Sequence, residues 1–415
     1  MKNILITGGA GFIGSNLALR LLNKGYKVRI LDVLLPQIHG DNPEETSPLY
    51  NSIRNTDAEF TAGSVTDRDT FRKALADMDC VVHLAAETGT GQSMYEIERY
   101  SRVNVLGTAI LLDILTNEEH NIRKVVVASS RAIYGEGRYF CNQCNREVYP
   151  EKRKAGDMKK GDYECKCPLC GSEVELLATN EVSKIHPTSI YGITKQVQES
   201  MVMTVCKSVG IPAVAFRYQN VYGKGQSLSN PYTGILSVFS TQIRNGNAIN
   251  IFEDGKETRD FVYIDDVVEA TVMGIENSTA DGEVFNVGTG VATDVYTVAR
   301  ELIRNYEEDV HIFISGNFRM GDIRHNFADI SKAKRVLGFE PKVSFAKGIK
   351  LFTDWVKEQK IQKDNYQKSI EELQSKGLFL QQEGLFRLTK TDWSKTESYW
   401  DESEGRIKIR EKDCN

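Results

Sequence analysis

The feature that most constrains the fold is a glycine-rich turn that joins an apolar strand to an amphipathic helix at the start of the 415-residue chain. The run NILIT predicts a strand, and residues 13–24 have helical periodicity. The glycines of the turn TGGAGFIG permit a tight bend, a close approach of the backbone to a pyrophosphate, and close packing of the helix on the strand. These glycines are Gly8, Gly11 and Gly14. The free N–H groups of the helix N-terminus can then bind phosphates, so the sequence predicts a dinucleotide site.

Asp32 indicates which dinucleotide the site accepts. It ends the next predicted strand, residues 27–32. A carboxylate at this point accepts hydrogen bonds from the adenosine ribose hydroxyls and would repel a 2′-phosphate. Val33 and Leu34, which follow, provide no cation. We therefore expect NAD rather than NADP as cofactor.

The alternation of strands and helices predicts the fold class. Strand-like runs at residues 3–7, 27–32, 80–85 and 124–129 alternate with helical patterns at 13–24, 67–76 and 105–115. This order predicts an α/β fold, a Rossmann-type doubly wound parallel sheet. We assign residues 1–140 and 177–217 to the NAD-binding domain and residues 141–176 to an inserted zinc knuckle. Residues 218–358 form mainly a smaller C-terminal substrate domain, part of 235–272 returning to the Rossmann domain, and 359–415 are an extension of unknown role.

A tyrosine and a lysine one helical turn apart are candidates for catalysis. Tyr191 and Lys195, in YGITK, lie on one helix face, where the ammonium can lower the pKa of the phenol and hold a nicotinamide ribose. Ser130 ends a predicted strand, and the carboxyl edge of a parallel sheet faces the ligand crevice. The three side chains are therefore expected to meet.

Several motifs together resemble one known family. TGGAGFIG, HLAA, NVLGT, SSRAIYG, YGITK, RYQNVYG and RDFVYIDD occur in this order. Over residues 1–358, apart from the cysteine insertion, the chain resembles the extended short-chain dehydrogenase/reductases of the NAD-dependent epimerase/dehydratase family. The resemblance implies a homodimer and makes Ser130, Tyr191 and Lys195 catalytic. The residues that it implies for NAD binding are Thr7, Gly8, Gly11, Phe12, Ile13, Gly14, Asp32, Ser64, Val65, Leu84, Ala85, Ala86, Asn104, Tyr191 and Lys195.

The same resemblance implies the substrate contacts. Asn220 corresponds to an asparagine that contacts the diphosphate, and Arg259 with either Arg319 or Arg324 corresponds to phosphate-clamping arginines. Planar guanidinium groups suit a diphosphate. Ser130 and Arg131 are expected beside the sugar. Ser64 departs from the aspartate that is usual in the family, which puts a side-chain contact with the adenine amine in doubt.

The residues after Ser130 bear on the reaction. Related dehydratases and decarboxylases mostly carry an acid directly after the catalytic serine or threonine, whereas here Arg131 and Ala132 follow. The expected activity is therefore NAD-dependent epimerisation at C4 of a nucleotide-linked hexose. Residues 87–100 and 225–236 resemble the dTDP-L-rhamnose 4-epimerase group, and a UDP- or GDP-linked hexose stays open. The alternatives are a 4-keto reductase, a dehydratase, or a non-catalytic NAD-sensing scaffold.

Two CxxC pairs, separated by 22 residues, predict a metal site in the insertion. Two such knuckles supply four soft ligands for tetrahedral Zn²⁺, and four cysteine ligands leave no open position, so the zinc would be structural. Cys165 is a spare thiol that could replace Cys167. The predicted ligands are Cys141, Cys144, Cys167 and Cys170.

The charge and hydropathy of the chain bear on its partners and its location. The net charge is −5, and the insertion mixes basic with acidic residues, so we expect no nucleic-acid partner. No apolar run of about 18 residues and no secretion signal occur, so we expect no membrane partner and a cytoplasmic location. The expected partner is a nucleotide-sugar substrate.

Overall fold

The computed structural model describes residues 1–381 and the backbone of three further strands at residues 387–389, 396–401 and 406–411. The strands are, in chain order, β1 (Asn3–Thr7), β2 (Lys27–Asp32), β3 (Glu59–Ala62), β4 (Cys80–His83), β5 (Lys124–Ser130), β6 (Arg138–Cys141), β7 (Arg146–Val148), β8 (Glu175–Leu177), β9 (Ala213–Tyr218), β10 (Asn220–Tyr222), β11 (Ile249–Ile251), β12 (Thr258–Arg259), β13 (Phe261–Tyr263), β14 (Val284–Val287), β15 (Thr293–Asp294), β16 (Ile312–Ile314), β17 (Phe318–Arg319), β18 (His325–Asn326), β19 (Phe379–Leu380), β20 (Arg387–Thr389), β21 (Thr396–Asp401) and β22 (Arg406–Glu411).

Helices connect these strands. The α-helices are α1 (Phe12–Asn23), α2 (Pro36–His39), α3 (Pro43–Thr46), α4 (Pro48–Arg54), α5 (Arg68–Leu75), α6 (Thr90–Ser93), α7 (Ile97–Tyr100), α8 (Gly107–Asn117), α9 (Ala155–Met158), α10 (Ile190–Val209), α11 (Ile235–Arg244), α12 (Ile264–Glu276), α13 (Val295–Tyr306), α14 (Ser331–Leu337), α15 (Phe345–Glu358) and α16 (Tyr366–Ser375). A π-helical stretch, Ser101–Leu106, leads into α8, and 3₁₀ turns lie at Arg131–Tyr134 and Ser278–Ala280.

The centre of the molecule is a seven-stranded sheet with the order β14-β9-β5-β4-β1-β2-β3. All of its strand pairs are parallel. The predicted α/β, Rossmann-type fold is confirmed. The strand order reverses beside β1, so a crevice opens there at the carboxyl ends of the strands.

The core lies on both faces of this sheet, because successive side chains of a strand point to opposite faces. Ile4 and Ile6 of β1 pack in one buried cluster and Leu5, between them, in another. Every residue of β4 and β5 is buried. Strands buried along their whole length are typical of a parallel sheet that is covered by helices on both sides.

The part of residues 218–358 that returns to the NAD-binding domain extends further than the sequence indicated. Helix α12, residues 264–276, packs against α1, and β14 adds an edge strand to the central sheet beside β9. The returning portion therefore runs beyond residue 272. An apolar run as short as β14 does not reveal from sequence which sheet it joins.

The cysteine insertion is a small antiparallel sheet of its own. Strands β7, β6 and β8 pair in that order, and β6 begins at Arg138 rather than at residue 141. Its buried cluster includes Tyr139, Val148 and three cysteines. Within the ranges that the structure describes, no helix is both long and apolar enough to cross a membrane.

Candidate active site

A cavity of about 610 Å³ opens at the carboxyl edge of the central sheet, between the two domains. It is large enough for small-molecule ligands. Most of the residues predicted for the site line this cavity. They are Gly8, Gly11, Phe12, Ile13, Gly14, Asp32, Ser64, Val65, Leu84, Ala85, Ala86, Ser130, Arg131, Tyr191, Lys195, Asn220, Arg259 and Arg319.

The glycine-rich turn forms one end of the cavity. Gly8 has a φ of 67°, in the left-handed region, and a Cβ there would lie 2.9 Å from the backbone of Ala85. A Cβ at Gly14 would lie 2.3 Å from the carbonyl oxygen of Gly8, so only glycine lets α1 begin this close to β1. Helix α1 has no side-chain cap and no acidic residue in its first turn. Its free N–H groups and dipole therefore fit the diphosphate of a dinucleotide.

Asp32 lies where the ribose of such a dinucleotide is expected. Its carboxylate accepts hydrogen bonds from the backbone N–H groups of Ala10 (3.0 Å) and Leu34 (2.9 Å), which fix it at the end of β2. Ser64 Oγ contacts Thr66 Oγ1 at 2.7 Å and accepts from its N–H at 3.1 Å. Ser64 lines the cavity, but its hydroxyl bonds to Thr66 of the same loop.

The three predicted catalytic residues come from two elements that pack tightly. Ser130 ends β5, and its Oγ accepts from the Ala132 N–H at 3.1 Å. Tyr191 and Lys195 lie in the first turns of α10. A Cβ at Gly192 would lie 2.6 Å from the carbonyl oxygen of Ala132, so this glycine lets α10 approach the turn after Ser130.

Burial and neighbouring groups shift the pKa values of Tyr191 and Lys195. Burial raises the pKa of Tyr191, while a hydrogen bond with Ser130 and the charge of Arg131 lower it. Burial lowers the pKa of Lys195 to about 7, and its Nζ donates to Gln198 Oε1 at 2.7 Å. Ser130 and Arg131 therefore favour the phenolate.

Two residues predicted to contact NAD instead support the residues that line the cavity. Thr7 Oγ1 contacts His83 Nδ1 at 2.8 Å and accepts from the Ala85 N–H at 3.2 Å. Asn104 is fully buried and binds the backbone of Glu87 and the hydroxyl of Thr194. Neither residue lines the cavity. Each fixes the loop after β4, and Asn104 also ties that loop to α10.

Three guanidinium groups, those of Arg131, Arg259 and Arg319, line the same cavity. Arg259 donates to the carbonyl oxygens of Thr258, Ile323 and Arg324, which fix its direction. Arg319 pairs with Asp322 at 2.8 Å. Burial and the charge of Arg259 lower the pKa of Arg131 to about 9. Such clustered positive charge suits a diphosphate anion.

Asn220 also lines the cavity. Its Oδ1 is buried and has no hydrogen-bond partner in the part of the chain that the structure describes. Buried polar atoms normally have partners, so this atom has capacity for a bond to a ligand.

Arg324 does not reach the cavity, so of the two alternatives only Arg319 does. Its side chain is fully buried, and its guanidinium pairs with Asp254 (2.6 Å), Glu253 (3.2 Å) and Glu164 of the insertion (2.5 Å). Three carboxylates already satisfy its charge, so no donor remains for a phosphate. Arg324 therefore joins the insertion to the substrate domain.

Arg153, from the insertion, joins the same buried network. It pairs with Glu253 at 2.7 Å and with Glu136 at 3.2 Å. Glu136 follows the turn after Ser130, and its other oxygen accepts from the Arg324 N–H at 2.6 Å. The insertion is thereby linked through buried charges to the segment that carries Ser130.

Three residues that line the cavity carry no motif and were missed from the sequence. Burial and the charge of Glu253 raise the pKa of Glu257 to about 8, and its Oε2 is buried without a partner in the described residues. Phe252 and Tyr366 also line the cavity. Glu257 could have been suspected from its place two residues before Arg259, whereas Tyr366 belongs to the extension, where the sequence gives no signal.

The four predicted metal ligands are close to one another in the insertion. Their sulfur atoms all lie within 4.8 Å of one another, with Cys141 and Cys170 at 3.5 Å and Cys144 and Cys167 at 3.9 Å. Thiolates about 2.3 Å from a tetrahedral zinc are about 3.8 Å apart, so these residues fit Zn²⁺.

Cys165 lies apart from this group. It is buried at 3% exposure beside Tyr139 and Glu136. The backbone N–H of Leu169 points at Cys167 Sγ at 3.4 Å, as the N–H of Cys144 does at Cys141. Of the two alternatives for the fourth ligand, the geometry therefore favours Cys167.

Comparison with known proteins gives consistent matches. The model of a family described as the NAD dependent epimerase/dehydratase family matches residues 4–154 and 170–288. A dTDP-L-rhamnose 4-epimerase from Burkholderia thailandensis is 36% identical over 360 residues, which cover 86% of this chain and 96% of that protein. The family match includes the glycine-rich turn and the positions of Ser130, Tyr191 and Lys195.

Solved structures agree. UDP-glucose 4-epimerase with UDP-glucose, from Thermotoga maritima, has a TM-score of 0.68 and 30% identity, with 86% of this chain and 98% of that chain covered. UDP-glucuronic acid 4-epimerase from Bacillus cereus, in complex with UDP-glucuronic acid and NAD, has a TM-score of 0.68 and 27% identity, with 86% and 99% covered.

Proposed function

The chain belongs to the NAD-dependent epimerase/dehydratase family, and we propose that it inverts C4 of a nucleotide-linked hexose by transient oxidation to the 4-keto sugar. The observation that carries this proposal is the convergence of Ser130, Tyr191 and Lys195 on one cavity that also holds a dinucleotide turn and three arginines. A regulatory protein that only senses NAD would have no need of the tyrosine and lysine pair.

The chemistry divides between the cofactor and the chain. NAD, when bound, supplies a reversible hydride acceptor for C4. Tyr191 removes the proton of the 4-hydroxyl as the carbonyl forms and returns it at the end. Ser130 hydrogen-bonds the same oxygen, and the charge of Arg131 favours the phenolate. Because oxidation and reduction cancel, turnover needs no added cofactor, which distinguishes an epimerase from a 4-keto reductase.

Arg131 also bears on the choice between epimerisation and dehydration. Elimination of water next to the 4-keto group needs an acid or base at a second carbon. The residue after Ser130 is a buried arginine with another arginine close by, and a guanidinium cannot serve as a carboxylic acid. The position after Ser130 therefore provides no carboxylic acid for elimination, which favours hydride transfer at C4 alone.

Arg259 and Arg319 would hold the diphosphate. Arg259 is fixed by three carbonyl oxygens, whereas Arg319 is paired with Asp322 and can exchange this partner for a phosphate. Asn220 also lines the cavity, and its amide NH₂ group could donate to a phosphate oxygen. A substrate anchored by its diphosphate leaves the sugar free to turn its opposite face, as inversion at C4 requires.

For the sugar nucleotide itself we propose dTDP-L-rhamnose or a similar deoxysugar nucleotide. The support is the 36% identity to a dTDP-L-rhamnose 4-epimerase over nearly the full length of that relative. Residues 87–91 and 226–235, which include much of the two stretches that resemble this group, line the cavity in large part.

We also propose one structural zinc per chain, held by Cys141, Cys144, Cys167 and Cys170. Four thiolates around the ion leave no open coordination position, so the metal takes no part in the reaction. Cysteines that bind a metal instead of forming disulfides fit a reducing compartment, which supports a cytoplasmic location.

A homodimer is proposed on the surface of α8 and α10. These helices pack on each other, and large apolar side chains near their exposed faces meet solvent: Leu106 is 45% and Ile193 43% exposed. Ile97, on the neighbouring α7, is 50% exposed. An exposed apolar patch of this kind suits a second copy of the chain.

The proposed reaction is tested with purified protein and a panel of dTDP-, UDP- and GDP-sugars, without added cofactor. NMR at C4 should show conversion of one sugar to its 4-epimer, with dTDP-L-rhamnose among the substrates. Conversion only with stoichiometric NADH would indicate a reductase. Loss of water from the sugar would indicate a dehydratase, and no reaction on any sugar would favour the scaffold.

A further inference from the structure

The segment after α15 crosses the mouth of the cavity instead of leaving the molecule. The carbonyl oxygen of Gln362 accepts from Asn245 Nδ2 at 2.9 Å, and Asp364 accepts from Asn247 Nδ2 at 2.9 Å. Helix α16 follows, and β19 then pairs antiparallel with β17, the strand that carries Arg319. Residues 361–381, here called the cap, are therefore fixed at both ends to the substrate domain.

The cap contributes a side chain to the cavity wall. Tyr366 opens α16 and stacks on Phe252 with ring centroids 6.3 Å apart and an interplanar angle of 21°. The guanidinium carbon of Arg319 lies 5.5 Å from the centroid of the Phe252 ring. Burial raises the pKa of Tyr366 to about 12, so its phenol stays a neutral hydrogen-bond donor. An aromatic wall thus adjoins the arginines assigned to the diphosphate.

A single carboxylate fastens the cap to both sides of the cavity mouth. Glu372 accepts hydrogen bonds from Tyr232 at 2.5 Å and from Tyr95 at 3.1 Å, and the two phenol oxygens lie 2.6 Å apart. Tyr95 belongs to the NAD-binding domain, whereas Tyr232 lies in the cavity-lining loop before α11. Glu372 therefore joins the two domains across the opening.

Apolar packing supports the same arrangement. Ile370, Leu373 and Phe379 of the cap are buried in a cluster with Tyr95 and Phe252. The Leu373 side chain lies over Gly91, which lines the cavity. Glu371, which precedes Glu372 in the same helix, is exposed to solvent.

We propose that the cap is part of the substrate site, with Tyr366 as a residue that contacts the nucleoside diphosphate end of the substrate and Glu372 as the positioning residue that holds the cap closed. The proposal rests on the proposed function, because the nucleoside diphosphate belongs to the sugar nucleotide. The match of the family model ends at residue 288, and α16 lies beyond it.

Tyr366→Leu and Glu372→Ala test the proposal, with Glu371→Ala as the matched control on the exposed face of the same helix. The binding of dTDP and UDP to the NAD-loaded protein is measured by calorimetry. Tyr366→Leu removes an aromatic contact, and Glu372→Ala removes the hydrogen bonds to Tyr95 and Tyr232. Each change should weaken binding of the preferred diphosphate about tenfold. The control should bind as the wild type does, and all variants should retain NAD.

Steady-state kinetics provide a second readout. The KM for the sugar nucleotide should rise in both variants while kcat changes little, because the cap does not touch the reacting carbon. If both Tyr366→Leu and Glu372→Ala bind the diphosphate within twofold of wild type, the proposed role of the cap is wrong, and the proposed function is unaffected. Wild-type protein that binds neither dTDP nor UDP would overturn the proposed substrate class together with the cap.

Discussion

Replacing Tyr191 with phenylalanine removes one oxygen atom and leaves the ring in place. The hydrogen bond with Ser130 is lost, while Ser130 Oγ keeps the bond that it accepts from the Ala132 N–H at 3.1 Å. A single hydrogen bond contributes about 0.5–1.5 kcal/mol to stability. For a chain of this size we therefore expect the melting temperature to fall by only a few degrees.

The effect on the reaction should be much larger than the effect on stability. General acid–base catalysis contributes about 10²–10⁴-fold. Each tenfold loss corresponds to about 1.4 kcal/mol in the activation free energy, so kcat should fall by the equivalent of about 3–5 kcal/mol. Asp32, Asn220 and the arginines are unchanged, so NAD content and diphosphate binding should stay at the wild-type level.

The assay compares kcat and kcat/KM of Tyr191→Phe with wild type on the sugar found in the panel, together with NAD content, dTDP binding and thermal melting. The pH profile adds a control: wild-type activity should rise with pH as the phenol ionises, since burial raises its pKa, and this limb should vanish in the variant. An unchanged rate in the variant would refute the reasoning, because another group would then be the base.

Two further predictions concern the metal and a buried histidine. Cys167→Ser should lose the zinc and lower the melting temperature, whereas Cys165→Ser should keep one zinc per chain; metal analysis that finds no zinc in wild-type protein purified without chelators would contradict this. Burial lowers the pKa of His83 to about 3, and its ring contacts the hydroxyls of Thr7 and Thr108. Below about pH 6.5 the unfolded chain binds a proton at His83, whereas the folded chain does not. The free energy of unfolding should therefore decrease as the pH falls from 6.5 toward 3. Chemical denaturation of His83→Gln should show a smaller decrease over the same range.

The fold could be predicted where local pattern and tertiary environment agree. Strands β1 and β2 have the bounds expected from their sequences, because strands of a sheet that is covered on both faces are rich in apolar residues. The run at residues 80–85 was predicted too long: β4 ends at His83, and Leu84 and Ala85 turn out of the sheet to line the cavity. An apolar run does not distinguish a side chain in the core from one in a cavity wall.

The candidate site shows the same division between local and distant information. The spacing of Tyr191 and Lys195 on one helix and the glycines of the first turn are local, and the structure brings these residues to one cavity. Asn104 and Arg324 lie in equally distinctive motifs but are buried as supports. Their partners, Thr194 for the first and Glu164 for the second, lie 90 and 160 residues away in sequence.

The sequence by itself determined the glycine-rich turn, the order of strands and helices, the three candidate catalytic residues and the four thiols, because each depends on spacing within one element or one turn. Only the tertiary structure decided that Arg319 and not Arg324 lines the cavity. It also decided that the insertion is joined to the Ser130 segment through buried charges, and that Tyr366 and Glu372 lie at the cavity mouth. These features depend on which surfaces pack together, and the packing of surfaces far apart in the chain leaves no periodic signal in the sequence.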